Sequence, residues 1–363
     1  MNNETLPDQN SQPYCDNSIV ERRGFISVGS CLSVVGCVSN LLLLYVFLCK
    51  TGRAYPFQTL LAILDFMLCG LYIECFGFHL LSVDYELGAL YHFVLDNSVL
   101  SLALSRMVQF LIPYTLIANS ADKLAMIYGK DGNSKQAFHL RLMGIVLLII
   151  TAILLRVNTF YSTKVLTTPN CTEFQSRWMA KEESSDPFYI RINDLYERGL
   201  TFFNTFVSFV VLFSLNSFIV WKLRAEHRNT RRQSTSPAQL FSTSVTRLQV
   251  AQTVREQQSQ LRCAVKTTVV IISAYLACNS LNFACYIWET TELAFQEDGS
   301  YTTVYLILCD IASTLFVVSS SVRIFIYYKF NTDMRNHIKE ISFIKFFIPN
   351  DKAKTDALLK VDL

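Results

Sequence analysis

The stretch Ser319–Asn331 reads SSSVRIFIYYKFN. Its Val, Ile, Phe and Tyr residues suit a strand, yet an arginine stands in the middle and no turn residue separates the stretch from the apolar run before it. Short apolar segments are ambiguous between strand and helix, and length arbitrates. Joined to its upstream neighbours, the run covers about 302–328, enough for a helix that crosses a membrane. The assignment therefore depends on whether the rest of the chain is built from runs of the same kind.

It is. The sequence has 363 residues, 51% of them hydrophobic and only 17% charged, with 27 Phe. Soluble domains intersperse charge with short apolar segments, whereas here the charges collect in a few loops between long apolar runs. A hydrocarbon core takes about 20 mostly apolar residues to cross. Seven stretches qualify or nearly do: about 25–49, 58–82, 93–121, 142–158, 200–221, 264–288 and 302–328. The fourth is the weakest, uncharged only over Leu142–Leu155, and borrows Phe138 and Val157–Phe160 to reach length. The expected fold class is an all-α membrane protein, a seven-transmembrane helix bundle over 25–328. An N-terminal segment, 1–24, precedes it, and a short amphipathic eighth helix with a tail, 329–363, follows. The N-terminal segment lacks the basic, apolar and small-residue succession of a cleaved signal and is expected to stay on the mature protein.

Lys and Arg collect on the cytoplasmic side of a membrane. With the N-terminus outside, Lys50 and Arg53 fall in the first inner loop, Lys123, Lys130, Lys135 and Arg141 in the second, and a basic run from Lys222 to Lys266 in the third. The outer loops between helices two and three and between six and seven then contain neither. The glycosylation sequons at Asn3 and Asn170 both lie outside in the same assignment. The expected location is thus the plasma membrane, multi-pass, with the N-terminus extracellular and the C-terminus cytoplasmic. The third inner loop is polar and rich in Ser, Thr and Gln, so its middle is expected to lack fixed structure while its flanks continue helices five and six.

Ionisable groups at membrane depth are costly and are paired, hydrated or functional. Asp65 in LLAILDF is the clearest of these, and Asn40 in VSNLLLL is an uncharged polar residue within another apolar run. Together with Leu61 and Ala62 they resemble the helix-one Asn and the helix-two Leu-Ala-x-x-Asp of rhodopsin-like G-protein-coupled receptors, where these positions line a water and sodium network. The segment ANSADKLAMI resembles that family's Asp-Arg-Tyr signature, with Asp122 at the acid, Lys123 at the arginine and Leu124 at the tyrosine. Lys123 can pair with Asp122 but lacks the planar fork of Arg. On helix six, Tyr275, Cys278, Asn279 and Leu281 stand at the places of Phe-x-x-Cys-Trp-x-Pro, so aromatic and cysteine are kept and the kinking proline is not. Pro113 on helix three is a possible distortion point instead.

The opening stretch resembles the Asn-Ser-x-x-Asn-Pro-x-x-Tyr end of helix seven, with Ser319 and Ser320, then Arg323, Ile324 and Tyr327, and Lys329-Phe330 opening the eighth helix. Arg323 replaces the asparagine that faces the helix-two aspartate in the family. An Asp65–Arg323 ion pair is therefore expected, the guanidinium standing where the family holds sodium. The family usually ties helix three to the second outer loop by a disulfide. Here Cys171 suits the loop end but Ser98 stands at the helix-three position, so Cys15 to Cys171 is the candidate bridge. The SSSVR-x-x-IY-x-KFN ending and the helix-two motif look most like invertebrate neuropeptide receptors of the FMRFamide-receptor type, including the divergent nematode set.

The resemblance implies an extracellular ligand and a heterotrimeric G protein as partners, with membrane lipid around the bundle. Nothing in the sequence points to a nucleic acid, a cofactor or an enzyme: there is no Gly-rich phosphate loop, metal-ligand cluster or nucleophile elbow. An acidic outer rim, Asp84, Glu86, Glu289, Glu292, Glu297 and Asp298, would attract a cationic peptide, and the resemblance makes an amidated one the expected ligand; simple solubility explains the rim as well. A chemosensory receptor for a small molecule and a transporter or channel are the alternatives. Counting outward from Asp122 places Arg106 and Gln109 on one face of helix three, with Glu74 at a similar depth on helix two. Tyr286 and Glu289 at the end of helix six and Asp310 on helix seven complete the expected ligand pocket. Glu74 is the expected partner of Arg106, whether as part of a ligand site or as a static structural pair, and Glu289 and Asp310 the expected receivers of a ligand cation.

Overall fold

In hydrocarbon every backbone N–H and C=O must be bonded within the protein, which leaves an apolar run of this length the α-helix. The computed structural model describes residues 22–49, 55–128, 135–167, 171–181, 187–233, 245–291 and 303–340. Among them, seven helices are long and apolar enough to cross a membrane. They are α1 (Arg23–Cys49), α2 (Pro56–Asp84), α3 (Gly88–Ile127), α4 (Lys135–Tyr161), α5 (Pro187–Phe202, Phe203–Val207 and Ser208–Gln233 in continuity), α6 (Val245–Thr290) and α7 (Thr303–Ser321, resumed at Arg323–Phe330). A short helix, α8 (Thr332–Glu340), follows.

The opening stretch is helical on both sides of Val322, whose φ of −79° and ψ of −10° interrupt α7 for one residue. Lys329 and Phe330 close α7 rather than open the eighth helix. Asn331 makes that division, because its Oδ1 accepts from the Met334 backbone N–H at 3.1 Å and caps α8. Met334 and Ile338 then pin α8 to the bundle core.

The helices close into a ring. α1 packs on α2 and α7, α6 on α5 and α7, and α3 runs against α2, α4, α5 and α6. Leu43, Phe47, Leu64, Leu68, Leu111, Ile112, Leu116, Leu212, Ile272 and Tyr327 fill the centre. The outside is also apolar: Leu140, Met143, Leu147, Ile150 and Leu154 form an exposed stripe along α4 at helical spacing, a surface suited to lipid.

Two features lie beyond the helix count. Thr163–Thr167 (β1) pairs antiparallel with Arg177–Lys181 (β2), with Val165 opposite Met179. This hairpin sits over the start of α3, held by Arg177 to Asp96 at 2.9 Å and by His92 to Glu173 at 3.0 Å. Second, α2 and α5 each contain a turn of π-helix, Ile73–Phe78 and Phe203–Val207. α3 passes through Pro113 without interruption, and the distortions lie instead in α2 and α5. Tyr114, next to that proline, donates its hydroxyl to the Phe203 carbonyl at 3.2 Å and so serves the widened turn of α5.

Candidate ligand cavity and buried ion pair

α1, α2 and α7 meet at a polar node in the bundle interior. Asp65, Asn40, Ser320 and Arg323 are all 2% exposed or less. Arg323 Nη1 donates to Asp65 Oδ2 in a direct ion pair, and Ser320 Oγ donates to the other carboxylate oxygen at 2.8 Å. Asn40 Nδ2 donates to the Gly36 carbonyl at 2.9 Å and to the Ser320 carbonyl at 3.4 Å, and Ser321 Oγ reaches the Leu32 carbonyl at 3.2 Å. Opposite charges are tolerable at this depth because each neutralises the other, and the Ser320 hydroxyl adds a neutral donor to the carboxylate. Tyr327, one turn below Arg323, packs edge-on against Phe47 with ring centroids 5.4 Å apart.

Between this node and the hairpin lies a cavity of about 460 Å³ enclosed by α2, α3, α5, α6, α7 and β2. Glu74, Arg106 and Gln109 line it, as do Tyr275 and Asn279, which the sequence placed with the switch residues rather than the pocket. Asn279 Nδ2 donates to the Tyr275 carbonyl at 2.9 Å, and the Tyr275 ring meets Phe316 edge to face at 6.1 Å. Both π turns contribute to the wall, through Glu74, Cys75 and Phe76 on α2 and through Asn204 and Thr205 on α5.

The expected Glu74–Arg106 pair is absent. Glu74 accepts from Ser101 Oγ at 2.8 Å, and Ser101 lies five residues before Arg106, about 7.5 Å along the helix axis and about 140° around it. The expected receivers of a ligand cation are also elsewhere. Asp310 pairs with Arg22 at 3.3 Å, Glu289 accepts from Tyr305 Oη at 3.2 Å, and neither lines the cavity; nor does Tyr286. Of the acidic rim, Asp84 is neutralised by Arg23 at 2.6 Å.

At the other end of α3, Asp122 pairs with Arg141 of α4 at 2.8 Å and not with Lys123. Successive residues on a helix point about 100° apart, so Lys123 turns inward, 4% exposed, with Nζ 5.6 Å from the centre of the Tyr55 ring. A further ion pair went unnoticed in the sequence: Arg156 of α4, 3% exposed, stands 3.7 Å from Glu197 of α5. Beside it, Tyr196 Oη donates to the Leu155 carbonyl at 2.7 Å and Asn158 donates to Asn193 at 2.6 Å. The signal was there, since a charge at the end of an apolar run needs a partner on a neighbouring helix.

Cys171 is disulfide-bonded, and nine other cysteines among the described residues are free thiols. Its expected partner Cys15, the sequon residues Asn3 and Asn170, the rim residues Glu292, Glu297 and Asp298, and the middle of the third inner loop lie outside the described residues.

Fold and site together define an all-α, multi-pass membrane protein with a polar-lined cavity above a buried ion pair. Compared with protein-family models and with curated proteins, the sequence matches none.

Proposed function

We propose that the chain is a rhodopsin-like G-protein-coupled receptor of the plasma membrane, N-terminus outside, that relays an extracellular ligand signal to a heterotrimeric G protein. One observation carries this reading. Ser313, Phe316 and Val317 of α7 line the cavity, and the next turn of the same helix supplies Ser320 and Arg323 to Asp65. A ligand that binds one arrangement of α7 better than another shifts the population toward it, and the Asp65 node moves with that helix. At the α8 end, Asp122 and Lys123 are the residues assigned to G-protein coupling, Lys123 being held against Tyr55 until the bundle opens.

An amidated, FMRFamide-like neuropeptide is the ligand that the resemblance in α2 and α7 supports. A chemosensory receptor for a small molecule is the second reading, favoured by a volume of about 460 Å³ that falls within the usual range for small-molecule sites, roughly 300–1,000 Å³. The deciding experiment screens amidated peptides and small organic ligands on cells expressing the full chain with promiscuous G proteins, read by calcium. The expected result is a response that disappears when the G protein is removed. Solute flux through the protein without any G protein would make it a transporter or channel instead.

A further inference from the structure

Three arginines line the cavity, and their situations differ. Arg22 is neutralised by Asp310 at 3.3 Å. Arg177 is neutralised by Asp96 at 2.9 Å and also meets His92 Nδ1 at 3.3 Å. Arg106 forms neither an ion pair nor a hydrogen bond among the described residues, and its side chain is exposed to the cavity. It is the sole charge on α3 between Asp96 and Asp122, ten residues from one and sixteen from the other, so about 15 Å and 24 Å along the axis. At that depth an unpaired guanidinium is costly and marks a function.

The one carboxylate in the cavity wall, Glu74, accepts from Ser101 through Oε1 and lies beyond ion-pair distance of Arg106. Arg156 of α4, which already has Glu197 at 3.7 Å, cannot serve as a counter-ion and adds positive potential at Arg106. Gln109, one turn on from Arg106, gives one amide N–H to Ser105 at 3.2 Å, which leaves the second for a ligand. The rest of the wall mixes apolar side chains, Leu102, Phe209, Phe283, Phe316 and Val317, with polar ones such as Asn204, Asn279 and Asn282.

We propose that Arg106 anchors a carboxylate of the ligand, and that the cavity therefore selects an organic acid with an apolar body. The guanidinium fork offers two parallel N–H groups to the two carboxylate oxygens, a geometry that an amide cannot match. The acid is either that of a small molecule or the free terminus or acidic side chain of a peptide, and a neutral amidated terminus is not what Arg106 receives. The inference rests on the receptor reading only for the side from which the ligand enters.

The test uses the purified full chain in lipid nanodiscs, with no G protein, and measures the thermal unfolding midpoint. The probes are 3-phenylpropanoate and its amide, hexanoate and its amide, and acetyl-Phe-Leu-Phe as free acid and as amide, at matched sodium chloride. The expected result is that the free acids raise the midpoint by several degrees and their amides do not. Small acids acting alone identify a small-molecule site, and the peptide acid acting alone identifies a peptide site. In Arg106→Gln the shift disappears, in Arg106→Lys a smaller shift remains, and without probe Arg106→Gln unfolds at or above the wild-type midpoint. Equal effects of acid and amide, no effect of any acid, a shift that survives Arg106→Gln, or a lowered midpoint of that variant without probe would each overturn the proposal. Because signalling is not read, acid binding without any G-protein response would defeat the receptor reading and leave this one standing.

Discussion

Asp65 and Arg323 show why some site residues are legible in a linear sequence. Each is a charge within an apolar run and costly alone, and the resemblance sets Arg323 opposite the helix-two aspartate, so the pairing followed from charge together with that resemblance. A double-mutant cycle on the purified chain measures it. Removing one partner of a buried pair costs roughly 3–5 kcal/mol, so Asp65→Asn and Arg323→Gln should each lower the unfolding midpoint and surface expression sharply. The combined variant should recover a large part of the loss. Additive effects of the two changes would show that the pair is not coupled. Arg106 was read with the wrong partner because counting nine residues from Asp65 to Glu74 assumed a regular helix, and Glu74 lies within the π turn that starts at Ile73. Lys123 was misjudged for a simpler reason: adjacency in sequence to Asp122 is separation by about 100° on a helix.

α1 illustrates how an element meets its neighbours. Ile26, Gly29, Ser33, Gly36, Asn40, Leu43 and Phe47 are buried, spaced alternately by three and four, and the middle of this seam is small. Small residues let helices approach closely in a membrane, where dispersion and hydrogen bonding replace the hydrophobic drive. A Cβ on Gly36 would meet Cys69 Sγ at 2.5 Å and Ser321 Oγ at 2.6 Å, so it presses on α2 and α7 at once. Gly36→Ala should therefore destabilise by about 1–3 kcal/mol, the usual range for overpacking. Gly24→Ala, whose Cβ would have nothing within 4 Å, should leave the midpoint unchanged. Thermal unfolding of both variants checks this, and a Gly36→Ala protein as stable as wild type would mean that the seam relaxes. The spacing of the seam is visible in the sequence; the two helices it faces are not.

For the molecule as a whole, the charge bias predicts which ends face outward. Treating cell-surface protein with peptide-N-glycosidase should lower its apparent mass, and Asn3→Gln combined with Asn170→Gln should remove that shift. A sequon introduced between Lys222 and Lys266 should stay unmodified; glycan at that site would reverse the topology. Digestion of the same protein without reductant should yield a Cys15–Cys171 linked peptide, and Cys171 joined to another cysteine would refute that pairing. Seven helices were readable from apolar runs alone because hydrocarbon leaves the backbone one way to satisfy its hydrogen bonds within a segment. The Asp65–Arg323 pair was readable because the helix-seven resemblance fixed which charge faces Asp65, and a charge at depth needs a partner. The π turns in α2 and α5, the hairpin over α3, the Arg156–Glu197 pair and an Arg106 without an ion pair among the described residues came only with the folded bundle. The side-chain pairings depend on the rotation of one helix against another, and one residue of error there, about 100°, carries a side chain from the cavity to the lipid.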